Sequence, residues 1–131
     1  MNRSLAASLL GATLLLAACS DDKPAASRPS PDQYSRAGCA VVAQLLEKND
    51  HGWGMNGIVG SRAARSTDPA VSAAGQELVL AVKEAGDLDV SSHGKADMTQ
   101  AEARIADAQQ KLMTTCRELL GEPPWSDRPG A

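Results

Sequence analysis

Residues 30–48 read SPDQYSRAGCAVVAQLLEK, and the spacing of their apolar side chains predicts an amphipathic helix. Ser30 precedes a proline and has a glutamine three residues later, a pattern typical of a capping box at a helix start. The helix is therefore expected to begin just after Ser30 and to run to about Lys48. Its apolar stripe consists of Tyr34, Cys39, Val41, Val42, Leu45 and Leu46.

Two more segments carry the same helical periodicity. One is predicted to open at residues 67–69 and to close at Gly86, and the other to start near residues 97–99 and to stop at Gly121. Thr99 and Glu102 have the spacing of a second capping box. The stripes consist of Val71, Ala74, Leu78, Val82 and Ala85 in the former, and of Ala101, Ile105, Ala108, Leu112, Cys116 and Leu119 in the latter.

The segment between the first two helices, residues 49–67, is rich in glycine. Four glycines fall within residues 52–60, so we expect this segment to contain no more than a short helical turn near residues 58–64. No segment alternates as a strand does. The sequence thus predicts an all-α bundle of three to four helices over residues 31–121, followed by an irregular tail, residues 122–131.

The N-terminus has the three parts of a secretory signal peptide. Arg3 supplies a positive start, residues 5–16 are almost entirely apolar, and Ala17 and Ala18 are small. As a helix, the apolar part would span about 18 Å, short of the ~30 Å hydrocarbon layer that a transmembrane helix must cross. Residues 1–18 are therefore predicted to be a signal peptide that is removed.

Residues 16–19, LAAC, resemble the lipobox of bacterial lipoproteins, with Cys19 in the place of the obligate cysteine. The resemblance implies cleavage before Cys19 and a diacylglyceryl group on its thiol. Residues 19–30 hold proline, serine and aspartate but no large apolar side chain, and would form a flexible tether. The whole layout is similar to the small exported lipoproteins of actinobacteria, which implies a lipid-anchored domain on the extracytoplasmic face of the cell membrane.

Two cysteines remain, Cys39 and Cys116, and each lies on the apolar stripe of its helix. In an exported protein, two such cysteines favour a disulfide that joins the first helix to the last. The alternative is a pair of buried free thiols. The distance between the two in sequence, and the lack of a Cys-x-x-Cys motif, make a metal or redox site the weaker interpretation.

Charge bears on the choice of partner. Of the 13 Lys and Arg only Arg3 precedes Cys19, whereas all 16 Asp and Glu follow it, so the chain from Cys19 onward carries a net charge of about −4. No basic cluster is evident in the sequence. Nucleic acid and anionic lipid headgroups are therefore not expected partners, and contact with the membrane is expected through the lipid anchor.

Few residues carry a pattern that suggests chemistry. His51 and Met55 could contribute to a copper site outside the cell, but two ligands in a glycine-rich loop leave the shell incomplete, so no metal site is assigned. Trp53, between two glycines, could be an exposed stacking platform or could complete a small core under its own loop, and we favour the core.

No catalytic or cofactor-binding residue is assigned. Ser91, Ser92 and His93 are adjacent in a polar loop, but a triad needs groups that converge in space. Asp87 and Asp89 could be a carboxylate pair, although acids in such a loop are usually solvated. The leading hypothesis is a non-enzymatic module that binds another envelope protein or a small ligand. The alternatives are an extracytoplasmic metal sensor or carrier and an unrecognised cell-wall enzyme.

Overall fold

A computed structural model describes residues 30–126, and these form an all-α bundle, as the sequence predicts. The four helices are α1 (Gln33–Glu47), α2 (Trp53–Ala63), α3 (Pro69–Ser91) and α4 (Thr99–Leu120), and this part of the chain contains no strand. None of its helices is both long and apolar enough to cross a membrane. The predicted signal peptide, Cys19 and nearly all of the tether lie outside the described residues.

The start of α1 differs from the prediction. Asp32, and not Ser30, is the N-cap, because its carboxylate accepts hydrogen bonds from the backbone N–H groups of Tyr34 and Ser35. The capping box expected from Ser30 and Gln33 is therefore wrong. Asp32 and Ser30 could both cap the helix. Oδ2 of Asp32 also accepts hydrogen bonds from Thr67, as described below, and these additional bonds favour Asp32.

The end of α3 also differs, because the helix continues through Gly86 to Ser91. Gly86 keeps helical geometry, whereas His93 and Gly94 take positive φ angles of 54° and 72° and turn the chain out of the helix. The segment around Asp87 and Asp89 is consequently helical and not a polar loop. The predicted end at Gly86 is too early, because a glycine ends a helix only where its backbone becomes left-handed, and the backbone of Gly86 stays helical.

The predicted capping box at the start of α4 does not form either. The helix begins at Thr99, but its N-cap residue, Met98, makes no side-chain capping bond. Instead Asp97 Oδ1 accepts from the backbone N–H of Thr99 at 3.0 Å and from its hydroxyl at 2.6 Å. At the other end, Gly121 has a φ of 80° and terminates α4 as predicted.

The glycine-rich segment forms a full helix, α2, which corrects the expectation of a single short turn. The cause is its packing against α3. A Cβ atom added to Gly75 would lie 2.3 Å from the backbone nitrogen of Ala64, and one added to Gly60 would lie 3.1 Å from the backbone nitrogen of Val79. Such close backbone contact is possible only where side chains are missing, so the glycines that weaken an isolated helix allow this pair of helices to pack.

The core lies between the predicted apolar stripes. Its buried apolar residues are Cys39, Val42, Leu45, Val59, Ala63, Val71, Ala74, Leu78, Ala85, Ala101, Ile105, Ala108, Leu112, Met113 and Cys116. Trp125, from the tail, packs at the edge of this core, and its indole N–H donates to the carbonyl oxygen of Gly121 at 3.1 Å.

A disulfide between Cys39 and Cys116 joins α1 to α4, which confirms the prediction. The two Cα atoms lie 5.6 Å apart, and the bond spans a sequence separation of 77 residues. Both cysteines are completely buried. The covalent bond therefore joins the first and last helices, which have no loop between them, and it closes the bundle.

We expect loss of this disulfide to lower stability without changing helix content. In the chain-entropy model, Cys39→Ser or Cys116→Ser should reduce the free energy of unfolding by about 2–5 kcal/mol, and the double variant by little more than either single one. Urea unfolding followed by circular dichroism would measure this, with the reduced wild-type chain as the control. Free-thiol labelling of both cysteines in the native protein would contradict the disulfide.

Two glycines of α3 should respond oppositely to the same substitution. Gly75→Ala should destabilise by about 1–3 kcal/mol, because the new methyl group overlaps the backbone of α2. Gly86→Ala should stabilise by up to about 1 kcal/mol, because its nearest neighbour, Cε3 of Trp53, is 3.9 Å away and the unfolded chain loses entropy. Thermal and urea unfolding would compare them, and equal effects at both positions would refute the contact at Gly75.

Candidate functional site

An apolar groove of about 620 Å³ lies along the outer side of α2, where this helix meets α3. Its floor consists of Gly54, Gly57 and Ser61, which are spaced three and four residues apart and therefore share one face of α2. Gly54 has no atom within 4 Å of the place where a Cβ would stand, so the floor is open to solvent there. Val79 and Val82 of α3 form the opposite wall.

Large apolar side chains stand at the rim of the groove. Trp53 is 44% exposed and Ile58 is 48% exposed, and Met55, nearby on α2, is 48% exposed. The expectation that Trp53 belongs to the core is therefore wrong. It begins α2 on the side of the groove, while the buried face of the helix is made of Asn56, Val59, Gly60 and Ala63.

Three cationic side chains also line the groove, namely Arg62, Arg65 and Lys83. The guanidinium group of Arg65 lies 4.4 Å from the centre of the Tyr34 ring and donates to its hydroxyl at 2.7 Å, which fixes its position. Lys83 pairs with Asp87 on the surface. No aspartate or glutamate lines the groove within the described residues, although the chain as a whole is acidic.

His51 is held by a polar network beneath the loop that precedes α2. The side-chain N–H₂ of Gln109 donates to the carbonyl oxygen of Asp50 at 2.8 Å and to Oδ1 of Asn56 at 2.6 Å. This leaves Oε1 of Gln109 to accept from Nδ1 of His51 at 2.6 Å. Asn56 and Gln109 were not predicted from the sequence to have a role. Gln109 is, however, a polar residue on the apolar stripe of α4, and this position indicates a buried side chain that needs hydrogen-bond partners.

This arrangement gives His51 a structural part, tying the loop to α4. Met55 points to solvent, being half exposed. Across residues 30–126, no three side chains of His, Cys, Asp or Glu are grouped so that they could hold a metal ion.

The candidate catalytic residues do not converge. The hydroxyl of Ser91 donates to the carbonyl oxygen of Leu88, and that of Ser92 to the carbonyl oxygen of Asp89. His93 is exposed at the turn after α3. Each serine hydroxyl is thus used to cap the helix end, and in the described part of the chain neither bonds to the imidazole.

One carboxyl group, that of Asp32, is strongly perturbed, and its surroundings explain why. Partial burial alone would raise its pKa, but hydrogen bonds from the backbone of Ser35, Thr67 and Tyr34 and from the Thr67 hydroxyl outweigh burial and hold the pKa well below its ordinary value. Oδ2 accepts from both the backbone N–H and the hydroxyl of Thr67 at 2.8 Å. Asp32 therefore connects the start of α1 to the turn between α2 and α3.

The groove is consequently the feature best suited to an interaction, whereas the polar clusters around Asp32 and His51 hold the fold together. Its lining offers contact area, shape and positive charge. No family model, curated protein or solved structure matches this chain.

We expect the connection made by Asp32 to depend on pH. Asp32→Asn keeps an oxygen that can cap α1 but loses the acceptor for Thr67, and should reduce the free energy of unfolding by about 1–3 kcal/mol at neutral pH. The folded pKa is depressed, so this contribution is complete above the unfolded pKa of about 3.9 and is lost as the pH falls towards the folded pKa.

The difference between wild type and Asp32→Asn should therefore shrink progressively below about pH 4. Urea unfolding at a series of pH values would measure it. Asp107→Asn, which changes an exposed carboxylate on α4, is the matched control and should differ little from wild type at any pH. A wild-type advantage over Asp32→Asn that stays constant down to pH 2 would contradict the role of the carboxylate.

Proposed function

We propose that this chain is an extracytoplasmic lipoprotein, anchored to the cell membrane through Cys19, whose helical domain binds another envelope protein and catalyses no reaction. The sequence supports the anchor, because residues 1–18 have the pattern of a signal peptide and residues 16–19 resemble a lipobox. Two acyl chains on one cysteine are enough for stable membrane attachment. The tether, residues 19–30, would keep the domain within about 40 Å of the bilayer.

The observation that supports binding is the groove between α2 and α3, with Trp53 and Ile58 exposed at its rim. Tryptophan and arginine are the residues that most often dominate the binding energy of protein interfaces, and this groove presents both. Burying half-exposed large apolar side chains removes apolar area from water and favours association. Exposed large apolar side chains that are gathered around one groove indicate an interaction site, whereas single ones such as Leu80 are common on protein surfaces.

The chemistry of the lining favours binding over catalysis. Ser61 and Lys83 line the groove, but among the described residues no His, Cys, Asp or Glu does, so the lining offers Ser61 no imidazole or carboxylate as a general base. Arginine remains protonated under physiological conditions and can hold a negative group but not move a proton. The lining therefore supports recognition of a partner that carries both apolar and negative groups.

In-cell crosslinking would test this proposal. In the bacterium that encodes the chain, a photo-reactive amino acid in place of Ile58 should give discrete protein adducts, because position 58 lies at the groove. The same residue in place of Leu80, which is 64% exposed but outside the groove, is the matched control and should give none. Equal patterns at both positions, or no adduct at position 58, would refute a binding role for the groove.

The same cells would test the anchor. The full chain should be found in the membrane fraction, and mass spectrometry should show a diacylglyceryl group on an N-terminal Cys19. Cys19→Ser should leave the protein uncleaved and without lipid, because serine has no thiol to form the thioether. A membrane-bound wild-type protein that begins at Met1 would contradict the lipobox.

A further inference from the structure

We infer that the groove between α2 and α3 docks an amphipathic α-helix of the partner, whose apolar stripe is flanked by carboxylates. This inference rests on the proposed function and adds the chemistry of the partner. Its basis is the combination of an apolar floor and wall with a rim of Arg62, Arg65 and Lys83.

The shape of the groove selects a helix. The groove follows α2 from Trp53 to Arg62, a distance of about 14 Å at the helical rise, so it accommodates about two to three turns of an occupant. Both walls are helices, whose backbone groups are hydrogen-bonded internally and cannot add a strand. A helical occupant brings a backbone that is already satisfied and needs only side-chain contacts.

The floor allows the occupant to approach closely. Gly54, Gly57 and Ser61 have little or no side chain, while Trp53 and Ile58 stand higher on either side. Leucine-sized side chains spaced three and four apart on the occupant would enter the space above Gly54 and beside Ser61, whereas at Gly57 the place of a Cβ is already 3.2 Å from Cγ1 of Val82. Ridges of one helix fit such depressions on another when the axes lie about 8–10 Å apart.

The charge of the rim selects carboxylates. Arg62 makes no hydrogen bond or ion pair within residues 30–126, so its guanidinium is free to form a charge-assisted pair with a carboxylate. Arg65 is held on the Tyr34 ring, facing the end of the groove. The pair between Lys83 and Asp87 is mostly exposed and contributes little, so a partner carboxylate can replace Asp87.

Other occupants fit less well. A bilayer surface is flat and would touch only the rim of a concave groove, and an acyl chain lying in an open groove would keep one side in water. A second copy could offer Leu80 on α3, but the residues three and four positions away from it, residues 76, 77, 83 and 84, are all polar, so this face of α3 has no second leucine-sized side chain at the required spacing. The partner helix is therefore expected to come from another protein.

The test uses the purified full chain with Trp125→Phe, so that Trp53 is the only tryptophan and its fluorescence reports on the groove. The probe is a synthetic fourteen-residue helix with leucines at spacings of three and four and glutamates beside them. Its matched control carries lysine in place of every glutamate. We expect a blue shift of Trp53 emission and saturable binding with the glutamate peptide, and binding weaker by about tenfold or more with the lysine peptide.

Variants assign the binding to the groove. Arg62→Glu should weaken binding of the glutamate peptide by about tenfold or more, whereas Lys95→Glu, the same charge change on an exposed lysine outside the groove, should alter it by less than about twofold. Gly54→Leu should also prevent binding, because it fills the open floor. It places a strong helix former in α2, so a loss of binding would not reflect unfolding.

Each other outcome overturns the inference. Equal affinity for both peptides would show that the groove does not prefer carboxylates. The absence of binding to either peptide would show that the groove does not bind a helix of this kind. Arg62-dependent binding to vesicles of phosphatidylglycerol and phosphatidylethanolamine would identify a lipid surface, and self-association lost in Arg62→Glu would identify a second copy. If crosslinks at position 58 persist while the peptides fail, the proposed function stands and only the acidic helix is wrong.

Discussion

Gly75 lies where α3 crosses α2, and a Cβ atom at this position would meet the backbone nitrogen of Ala64 at 2.3 Å. The rest of the bundle depends on this contact, because it brings two helix backbones as close as sterics permit. Gly60 repeats it one turn away against Val79. Dispersion contacts are individually weak, so a helix as short and as rich in glycine as α2 needs this closeness to offset its poor propensity.

Two connections complete the bundle that this contact begins. The Cys39–Cys116 disulfide joins α1 to α4 across the core, and Asp32 joins the start of α1 to the turn between α2 and α3. The disulfide stabilises the fold mainly by lowering the conformational entropy of the unfolded chain. Asp32 stabilises the folded state by accepting hydrogen bonds from polar groups where helices begin and end. A small domain with few aromatic side chains buries limited apolar area, and such connections make up the difference.

The groove follows from the same composition. Gly60 on the inner side of α2 lets it pack on α3, and Gly57 lies against Val82 at the edge of that contact. Gly54, on the outer side, leaves a low floor between taller neighbours. The bundle therefore gains an open apolar surface from the helix that is least able to form alone. The cationic residues of the groove, Arg62, Arg65 and Lys83, lie on two helices and a turn and are brought together only by the packing of α2 on α3. The chain as a whole is acidic.

The sequence by itself determined the helical class, the three long amphipathic segments and the pairing of Cys39 with Cys116, because apolar spacing of three and four follows directly from helix geometry. The lipobox at Cys19 is likewise a local pattern, and it remains a prediction.

Tertiary structure alone decided that α2 is a full helix, that α3 passes through Gly86, that Asp32 caps α1, and that Trp53 is exposed. Glycine has a low helix propensity, so the local sequence of α2 disfavours a helix. Propensity does not include the close approach of a neighbouring helix backbone, which only glycine allows. The cap at Asp32 is chosen by Thr67, which is distant in sequence, and the cationic rim by the crossing of α2 and α3. These features depend on contacts between residues that are far apart in sequence and become neighbours only on folding. They cannot be predicted from a short segment of the sequence.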